Sequence, residues 1–381
     1  MKITNLKLYK VKPRWLFLKV STDEGMDGWG ELISGAKTRS VEAAFYEMGE
    51  KLIGKDPRKI EDHWQMLFHS FFRGGPILMT VISGIEMALW DIKGRWLNVP
   101  VNEMLGGKAR ERIQVYSWIS GKSDEEFARQ AKDRLNNGYR AIKILITDDM
   151  HYIDSYKKID DAVSRVAAIR EAVGYELEIG IDFHGRIHKG MAKQIIKELE
   201  PFHPMFIEEP LLPEHGEFLK ELRSSVHTPI ATGERLKTRW EFKDIIAAGA
   251  VDIIQPDLSM AGGILESRKI CAMAEAFDIV AAPHAPYGPI SLAATFQMDA
   301  CTPNVFIQEQ SLGMFYNQGA DLTDYVKNKE IFEYDHGFAR IPDGPGLGIE
   351  IDEEMVESRS LDDLGWSNPT WRNEDGTITE W

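Results

Sequence analysis

Three acidic residues are placed at equal intervals in this chain: Asp182, Glu208 and Glu234 lie 26 residues apart. Each follows a short apolar run that predicts a β-strand. The interval is typical of the strand–helix repeat of a barrel, in which about 250 residues form eight units. The carboxylates would then lie at the same end of three neighbouring strands, where their repulsion requires a counter-charge. Oxygen ligands favour a hard divalent cation, and we predict one Mg²⁺ per subunit.

The same register continues beyond Glu234, because Asp257, His284 and Glu309 follow at intervals of 23, 27 and 25 residues. Each lies at the end of a further predicted strand, and chemistry in barrels takes place at the carboxyl ends of the strands. His284 begins a loop rich in small residues and proline, which would hold its imidazole rigidly. Asp257 could orient that ring by accepting its second ring proton.

A second histidine is close to the first carboxylate in the sequence. His184 lies two residues after Asp182, so on an extended backbone both side chains would face the same way. We therefore predict that His184 belongs to the same site. Of the adjacent Glu208 and Glu209, only Glu208 keeps the register, and we predict that it faces inward. We expect solvated side chains at these histidines outside the register: His63, His69, His151 and His215.

Alternating strands and helices must position these residues. Apolar strand candidates alternate with helical segments after residue 113, which predicts a parallel barrel. An antiparallel meander over residues 3–33 and helices near residues 40–53, 60–71 and 77–95 predict an α+β domain before it. The tail carries three tryptophans that we expect to pack on that first domain: Trp366, Trp371 and Trp381. The predicted barrel strands are 114–118, 141–145, 177–182, 205–209, 229–233, 252–256, 279–283 and 305–309.

The composition narrows the class of partner. A formal net charge of −15 argues against nucleic acid, because binding a polyanion needs a basic surface. The two cysteines, Cys271 and Cys301, do not make a disulfide framework. The N-terminus lacks a signal-peptide pattern, and no apolar run is long enough to span a membrane. We therefore expect a cytoplasmic protein that acts on a small molecule, with no nucleic-acid or membrane partner.

Several motifs taken together resemble the enolase superfamily and, within it, the mandelate racemase subgroup. They include RGGPILM, ALWDIKG, DFHGR, MFIEEP, QPDLSMAGGI, QEQS and the closing NPTWRNEDG. Within the subgroup the chain is most similar to dehydratases of the sugar acid D-galactonate. The resemblance covers nearly the whole length and implies an α/β fold: a modified (β/α)7β TIM-type barrel with an N-terminal α+β capping domain. We expect the capping domain at residues 1–112, the barrel at 113–320, and a C-terminal segment at 321–381 that returns to the cap.

The resemblance also implies a reaction. We expect Mg²⁺-dependent dehydration of an aldonate, D-galactonate to 2-keto-3-deoxy-galactonate, by removal of the proton next to the carboxylate and loss of the 3-hydroxyl. The base must start neutral and the acid protonated, so their surroundings must differ, and activity should rise with pH through the histidine range. The resemblance implies that the metal ligands are Asp182, Glu208 and Glu234. It implies His284 as the base, with Asp257 as its partner, and His184 as the acid. The implied substrate-binding residues are Glu309, Lys143 and Arg14.

Other interpretations remain open. The substrate could be another aldonate (gluconate, mannonate, arabinonate or xylonate), or the enzyme a sugar-acid cycloisomerase or epimerase. Racemases of the subgroup carry Lys-x-Lys at the end of the second strand, and here Lys143 is followed by Leu145, which argues against a second base. A zinc hydrolase would need more histidine ligands, and a scaffold without activity would be expected to lack His184 or His284. We expect loops near residues 14–15 and 34–37 to select the substrate, and a homo-oligomer.

Overall fold

The computed structural model of the protein describes residues 1–69, 73–146 and 150–380. Three antiparallel strands open the chain, as the alternating pattern predicts: β1 (Ile3–Val11), β2 (Trp15–Thr22) and β3 (Asp27–Ile33), with β2 in the middle. Four helices follow: α1 (Thr38–Gly49), α2 (Ile60–Phe68), α3 (Pro76–Leu97) and α4 (Val101–Met104). The helix predicted over residues 60–71 ends at Phe68, and the last two residues of that prediction lie outside the described residues.

Helix α3 holds the first unit together. It starts with Pro76, whose missing N–H is not needed in the first turn, and ends at Leu97, after which Asn98 takes a left-handed φ of 57°. It packs closely on β3, because a Cβ at Gly30 would lie 2.0 Å from the carbonyl oxygen of Gly84. Larger residues at either glycine would separate the helix from the sheet.

Seven parallel strands form one curved sheet in the order β5 to β11. The eighth predicted segment, residues 305–309, closes the barrel through parallel bridges from Val305 to Ala281 and from Gln308 to Val115. The α/β barrel predicted from the sequence is thereby confirmed. Strand β4 (Arg112–Gln114) precedes the seven: β5 (Ser117–Trp118), β6 (Ala141–Leu145), β7 (Glu178–Asp182), β8 (Phe206–Glu208), β9 (Ile230–Thr232), β10 (Ile253–Ile254) and β11 (Val280–Ala281).

Helices cover the outside of the barrel, and their buried faces pack on its strands. No helix in the described parts of the chain is long and apolar enough to cross a bilayer. The helices are α5 (Asp124–Asn136), α6 (Tyr156–Val173), α7 (Lys189–Leu199), α8 (Leu219–Ser224), α9 (Thr238–Ala247), α10 (Leu258–Ala261), α11 (Ile264–Glu275) and α12 (Pro289–Ala300).

The C-terminal region returns to the first unit. Strand β12 (Phe338–Arg340) pairs with β4, and α13 (Glu353–Ser358) lies beside β1. Ion pairs join α13 to the first sheet, since Lys7 Nζ of β1 lies 2.9 Å from Glu357 Oε1 and Lys19 Nζ of β2 lies 2.6 Å from Glu353 Oε1. The domain boundaries at 112/113 and 320/321 stay a prediction.

One of the four histidines expected to have solvated side chains is buried. His63 is buried on α2, and its Nε2 lies 2.7 Å from the carbonyl oxygen of Asp56. The prediction was wrong there because a helical histidine can face the core when a backbone group satisfies its ring. His69, His151 and His215 are exposed.

Two buried glutamates of the first unit cap helices of the barrel. Glu31 on β3 accepts hydrogen bonds from the N–H groups of Gly288 and Ser291 at the start of α12. Glu86 on α3 accepts them from Ile264 and Leu265 at the start of α11. Carboxylates stabilise helix N-termini, yet burial raises the pKa of each to about 7 despite these bonds. We therefore expect the contact between the two units to depend on pH.

We predict that Glu86→Gln flattens the pH dependence of stability. The pKa of Glu86 is raised from 4.5 to about 7 on folding. Its contribution to stability is therefore fully present below pH 4.5 and is lost as the pH rises through 7, by on the order of 3 kcal/mol. The urea midpoint of the wild type should fall between pH 5 and 8 more steeply than that of the variant. An exposed control, Glu47→Gln on α1, should keep the wild-type slope, and equal slopes for all three proteins would contradict the prediction.

Candidate active site

The three equally spaced carboxylates lie at the carboxyl ends of adjacent strands. Asp182 ends β7 and is in register with Glu208 at the end of β8. Glu234 follows β9 after Gly233, where φ is +146° and a Cβ would lie 2.8 Å from the backbone nitrogen of Gln255. That glycine lets the chain turn tightly enough to bring Glu234 beside the other two. All three side chains are almost completely buried.

A buried lysine supplies the counter-charge within this cluster. Lys143 Nζ, from β6, lies 2.5 Å from Glu208 Oε1, 3.1 Å from Glu309 Oε1 and 3.8 Å from Asp182 Oδ2. Burial disfavours its charge, but Glu208 and Glu309 outweigh that effect and hold the pKa of Lys143 well above its usual value. The ammonium group of Lys143 is enclosed by carboxylates. The role of Lys143 in binding substrate stays a prediction.

The donor set fits a divalent metal ion. One oxygen each of Asp182 and Glu234 and a ring nitrogen of His184 lie within 4.8 Å of one another. Glu208 stands apart from that trio, since Lys143 and Gln255 hold its two oxygens. Buried carboxylate oxygens match the ligands that Mg²⁺ prefers. The cluster thus has the chemistry of a magnesium site, with Asp182 and Glu234 closest together.

The adjacent glutamates of β8 face different surroundings. Glu208 points into the barrel towards Lys143. Glu209 accepts hydrogen bonds at one oxygen from Thr232 Oγ1, at 2.7 Å, and from the N–H of Gly233, at 2.8 Å. Glu209 therefore supports the turn that carries Glu234.

His284 is oriented by a carboxylate on the neighbouring strand end. Its Nδ1 lies 2.9 Å from Asp257 Oδ2, and Asp257 also accepts the N–H of Ser259. The other nitrogen, Nε2, lies 3.1 Å from Glu234 Oε2 and 3.8 Å from Glu309 Oε2. Since Asp257 binds the Nδ1 edge of the ring, Nε2 is the nitrogen directed into the cluster.

His184 reaches the site from a turn, and the extended backbone assumed from the sequence is wrong. Its φ is +55°, and that of Gly185 is +66°. The N–H of His184 donates to Asp182 Oδ1 at 2.7 Å, which ties the turn to the strand end. The ring nevertheless lies near the cluster, with Nε2 3.8 Å from Glu234 Oε1. The two histidines therefore flank Glu234.

The surroundings of the two histidines differ strongly, but in the opposite sense to the roles implied by the resemblance. Burial lowers the pKa of His184 to about 4, and Arg186 and Arg235 add to this against the pull of Glu234. Burial also disfavours the charge on His284, yet Glu234, Glu309 and Asp257 together raise its pKa to about 10. With the carboxylates ionised, the implied base is thus protonated and the implied acid neutral.

Two more side chains belong to the site. Trp118, at the end of β5, donates its indole N–H to Glu309 Oε1 at 2.6 Å. Gln255 donates to Glu208 Oε2 at 2.7 Å. Both lie at strand ends, and that position is the sequence signal for them, although neither side chain is ionisable.

Arg14 extends from the first unit to the loop that follows His284. Its Nη2 donates to the carbonyl oxygen of Pro286 at 3.2 Å. Its guanidinium carbon lies 4.6 Å from the ring centre of Tyr316 and 5.3 Å from that of Trp366. Arg14 thus links the cap, the barrel and the C-terminal region at the mouth of the site.

Comparison with known proteins identifies the class that this fold and site define. Residues 10–106 match the model of the mandelate racemase / muconate lactonizing enzyme N-terminal domain, and residues 126–355 match the enolase C-terminal domain-like model. The chain belongs to the mandelate racemase / muconate lactonizing enzyme family of the enolase superfamily, as its motifs predicted. Enzymes of this family generally use Mg²⁺.

Individual relatives cover the whole chain. It is 50% identical over 382 residues to D-galactonate dehydratase of Cronobacter sakazakii (strain ATCC BAA-894) and 49% identical over 382 residues to that of Variovorax paradoxus (strain S110), with 100% of each chain covered. Crystal structures of mandelate racemase/muconate lactonizing enzymes from Jannaschia sp. CCS1 and Sulfitobacter sp. superpose with TM-scores of 0.87 and 0.88 at 30% and 29% identity. These cover 95% and 97% of this chain and 98% and 99% of theirs.

We predict that the adjacent glutamates of β8 differ in their effect on Mg²⁺ binding. Glu208→Gln should weaken binding at least about tenfold, because it removes a charge from the cluster. Glu209→Gln is the matched control: it keeps the oxygen that accepts from Thr232 and Gly233, and binding should stay within about threefold. Isothermal titration calorimetry measures both, and a larger loss in the Glu209 variant would contradict the prediction.

Proposed function

We propose that the protein is a Mg²⁺-dependent hydro-lyase that dehydrates D-galactonate to 2-keto-3-deoxy-galactonate. The observation that carries this proposal is the pair of histidines on either side of Glu234, at 3.1 Å and 3.8 Å, in a buried carboxylate cluster at the strand ends. Such an arrangement suits removal of a proton at one carbon and delivery of a proton at the next. Full-length identity of about 50% to proteins named D-galactonate dehydratase supports the substrate.

We propose that Asp182, Glu208 and Glu234 hold one Mg²⁺ per subunit. When bound, the ion would supply positive charge that neutralises these carboxylates and the negative charge that develops on the substrate carboxylate. Lys143 already offsets part of the cluster's charge and keeps Glu208 and Glu309 in place.

His284 acts as the general base in this proposal. The raised pKa of His284 comes from Glu234, Glu309 and Asp257, so neutralising Glu234 lowers it and favours the neutral ring. Asp257 keeps the proton on Nδ1, which leaves Nε2 free to accept the proton from the carbon next to the substrate carboxylate. The electron pair left on that carbon then forms the double bond as the 3-hydroxyl departs.

His184 acts as the general acid in this proposal. The departing 3-hydroxyl needs a proton to leave as water, and the His184 ring is positioned on the other side of Glu234. The ring must be charged before this step, and the bound aldonate, an anion, would favour that charge once the ion neutralises Glu234. The enol that remains takes up a proton and becomes the 2-keto-3-deoxy acid, so the atoms balance as loss of one water.

The remaining site residues position the substrate. Glu309, fixed by Trp118 and by the N–H of Ala285, is placed to accept a hydrogen bond from the substrate near its carboxylate. Arg14 and Lys143 are proposed to bind the substrate, Arg14 from the cap at the mouth of the barrel. We extend the proposal to a cap at residues 1–112, a barrel at 113–320, a returning segment at 321–381, and a cytoplasmic homo-oligomer.

A dehydratase of another aldonate is the second candidate, and Leu145 favours it. This apolar residue ends β6 in register with Asp182, beside the metal cluster, where it would contact the substrate or its neighbours. The same residue removes the second base that an epimerase would need. A panel of gluconate, mannonate, arabinonate, xylonate and D-galactonate separates the candidates through the rate of 2-keto-3-deoxy acid formation.

We predict that variants of the two histidines separate proton removal from dehydration. His284→Asn should abolish exchange of the proton next to the carboxylate with deuterated solvent, and dehydration with it. His184→Asn should block dehydration while exchange continues. Proton NMR follows exchange, and a 2-keto acid assay follows dehydration.

The exposed His69→Asn serves as the control and should retain both activities. Equal, partial losses of exchange and dehydration in both site variants would show that the roles are wrong. A wild-type enzyme that neither exchanges the proton nor dehydrates any aldonate would overturn the proposed function itself.

A further inference from the structure

The C-terminal strap, residues 363–380, joins the cap to the barrel loops beside the site. At its start, Asp363 Oδ2 accepts from Arg39 Nη2 of α1 at 2.7 Å. Trp366 then lies on Arg14, with 5.3 Å between guanidinium carbon and ring centre. Farther along, the ring of Trp371 lies 4.6 Å from the guanidinium carbon of Arg186, in the loop after β7. The strap therefore contacts both units through aromatic rings on arginines.

The end of the strap has a defined local structure. The N–H of Asn373 donates to the carbonyl of Thr377 at 2.9 Å, and that of Thr379 donates to Trp371 at 3.2 Å. These bonds form a small hairpin that holds Trp371 at its base. The Trp371 ring is thus presented to Arg186 by a folded element.

The partner of Trp371 closes the turn that carries His184. The N–H of Arg186 donates to the carbonyl of Phe183 at 3.0 Å, and the two residues between them both have positive φ. Such a turn needs φ above zero at both central positions, which is unfavourable for a histidine. It persists only where the surroundings fix it.

Contacts on the barrel side fix one face of this turn. The N–H of Gly185 donates to the carbonyl of Glu209 at 3.0 Å, and Arg235 Nη2 donates to the carbonyl of His184 at 2.8 Å. On the other side, Arg186 is 4% exposed and lies against Trp371. The strap thus supplies a restraint on the turn that the barrel's own strands do not.

We propose that Trp371 is a positioning residue for His184: by holding Arg186, it fixes the turn that aims the His184 ring at the departing hydroxyl. This rests on the proposed function, in which His184 delivers the proton. His284 is held separately by Asp257, so the proton-removal step does not depend on Trp371.

The test compares exchange with dehydration in strap variants of the full-length protein. Trp371→Ala should lower kcat for dehydration about tenfold or more, because small displacements of a catalytic group cost this much. Exchange of the proton next to the carboxylate should stay within about threefold of wild type. Trp371→Phe keeps an aromatic face on Arg186 and should restore most of the dehydration rate.

Trp96→Ala is the matched control, because it removes another arginine–tryptophan contact, with Arg58 at 4.5 Å, on the first unit. It should leave both rates unchanged. If Trp371→Ala does not fold, Trp371→Leu keeps an apolar side chain of intermediate size without the aromatic face and should show the same selective loss.

The inference is overturned if exchange and dehydration fall together, if neither falls, or if Trp371→Phe is as impaired as Trp371→Ala. These outcomes would not contradict the proposed function, because the wild-type enzyme remains active in each of them. A wild-type protein that neither exchanges the proton nor dehydrates the substrate would contradict both this inference and the proposed function.

Discussion

Like charges enclosed at the strand ends are the constraint on which the rest of the site depends. Asp182, Glu208 and Glu309 are almost fully buried within reach of one ammonium group, that of Lys143. Carboxylates in such a space repel one another unless positive charge lies among them. Lys143 offsets the charges of Glu208 and Glu309 on one side of the cluster. On the other side, oxygens of Asp182 and Glu234 lie within 4.8 Å of each other. A divalent cation is therefore favoured beside Asp182 and Glu234.

The same charges decide the chemistry of the histidines. Glu234 lies between them, so any change in its charge acts on both. Asp257 sets the proton on one nitrogen of His284, whereas a strained turn sets the direction of His184. The proposed base, His284, thus depends on electrostatics, and the proposed acid, His184, depends on backbone geometry. This difference is the basis of the proposal that the strap acts on the His184 half of the reaction alone.

The sequence predicts the barrel and the carboxylate register well, because strand–helix repeats of constant length bring residues such as Asp182 and Glu208 to one edge. It predicts His184 near the site for the wrong reason, since a positive φ at a histidine has no sequence signal. The enclosed position of Lys143 and the order of the histidine pKa values follow from side chains that meet only in the folded barrel. Trp118 is not ionisable, so the register of charged residues gave no signal for it.

The most direct test of the proposed metal site is to locate the ion itself. Crystals soaked in Mn²⁺, which shares the oxygen preference of Mg²⁺, should give one anomalous peak per subunit among Asp182, Glu208 and Glu234. The carboxylates should bind it directly, with Lys143 remaining beside Glu309. A peak elsewhere, or none at a concentration that supports activity, would contradict the carboxylate cluster as the centre of the enzyme.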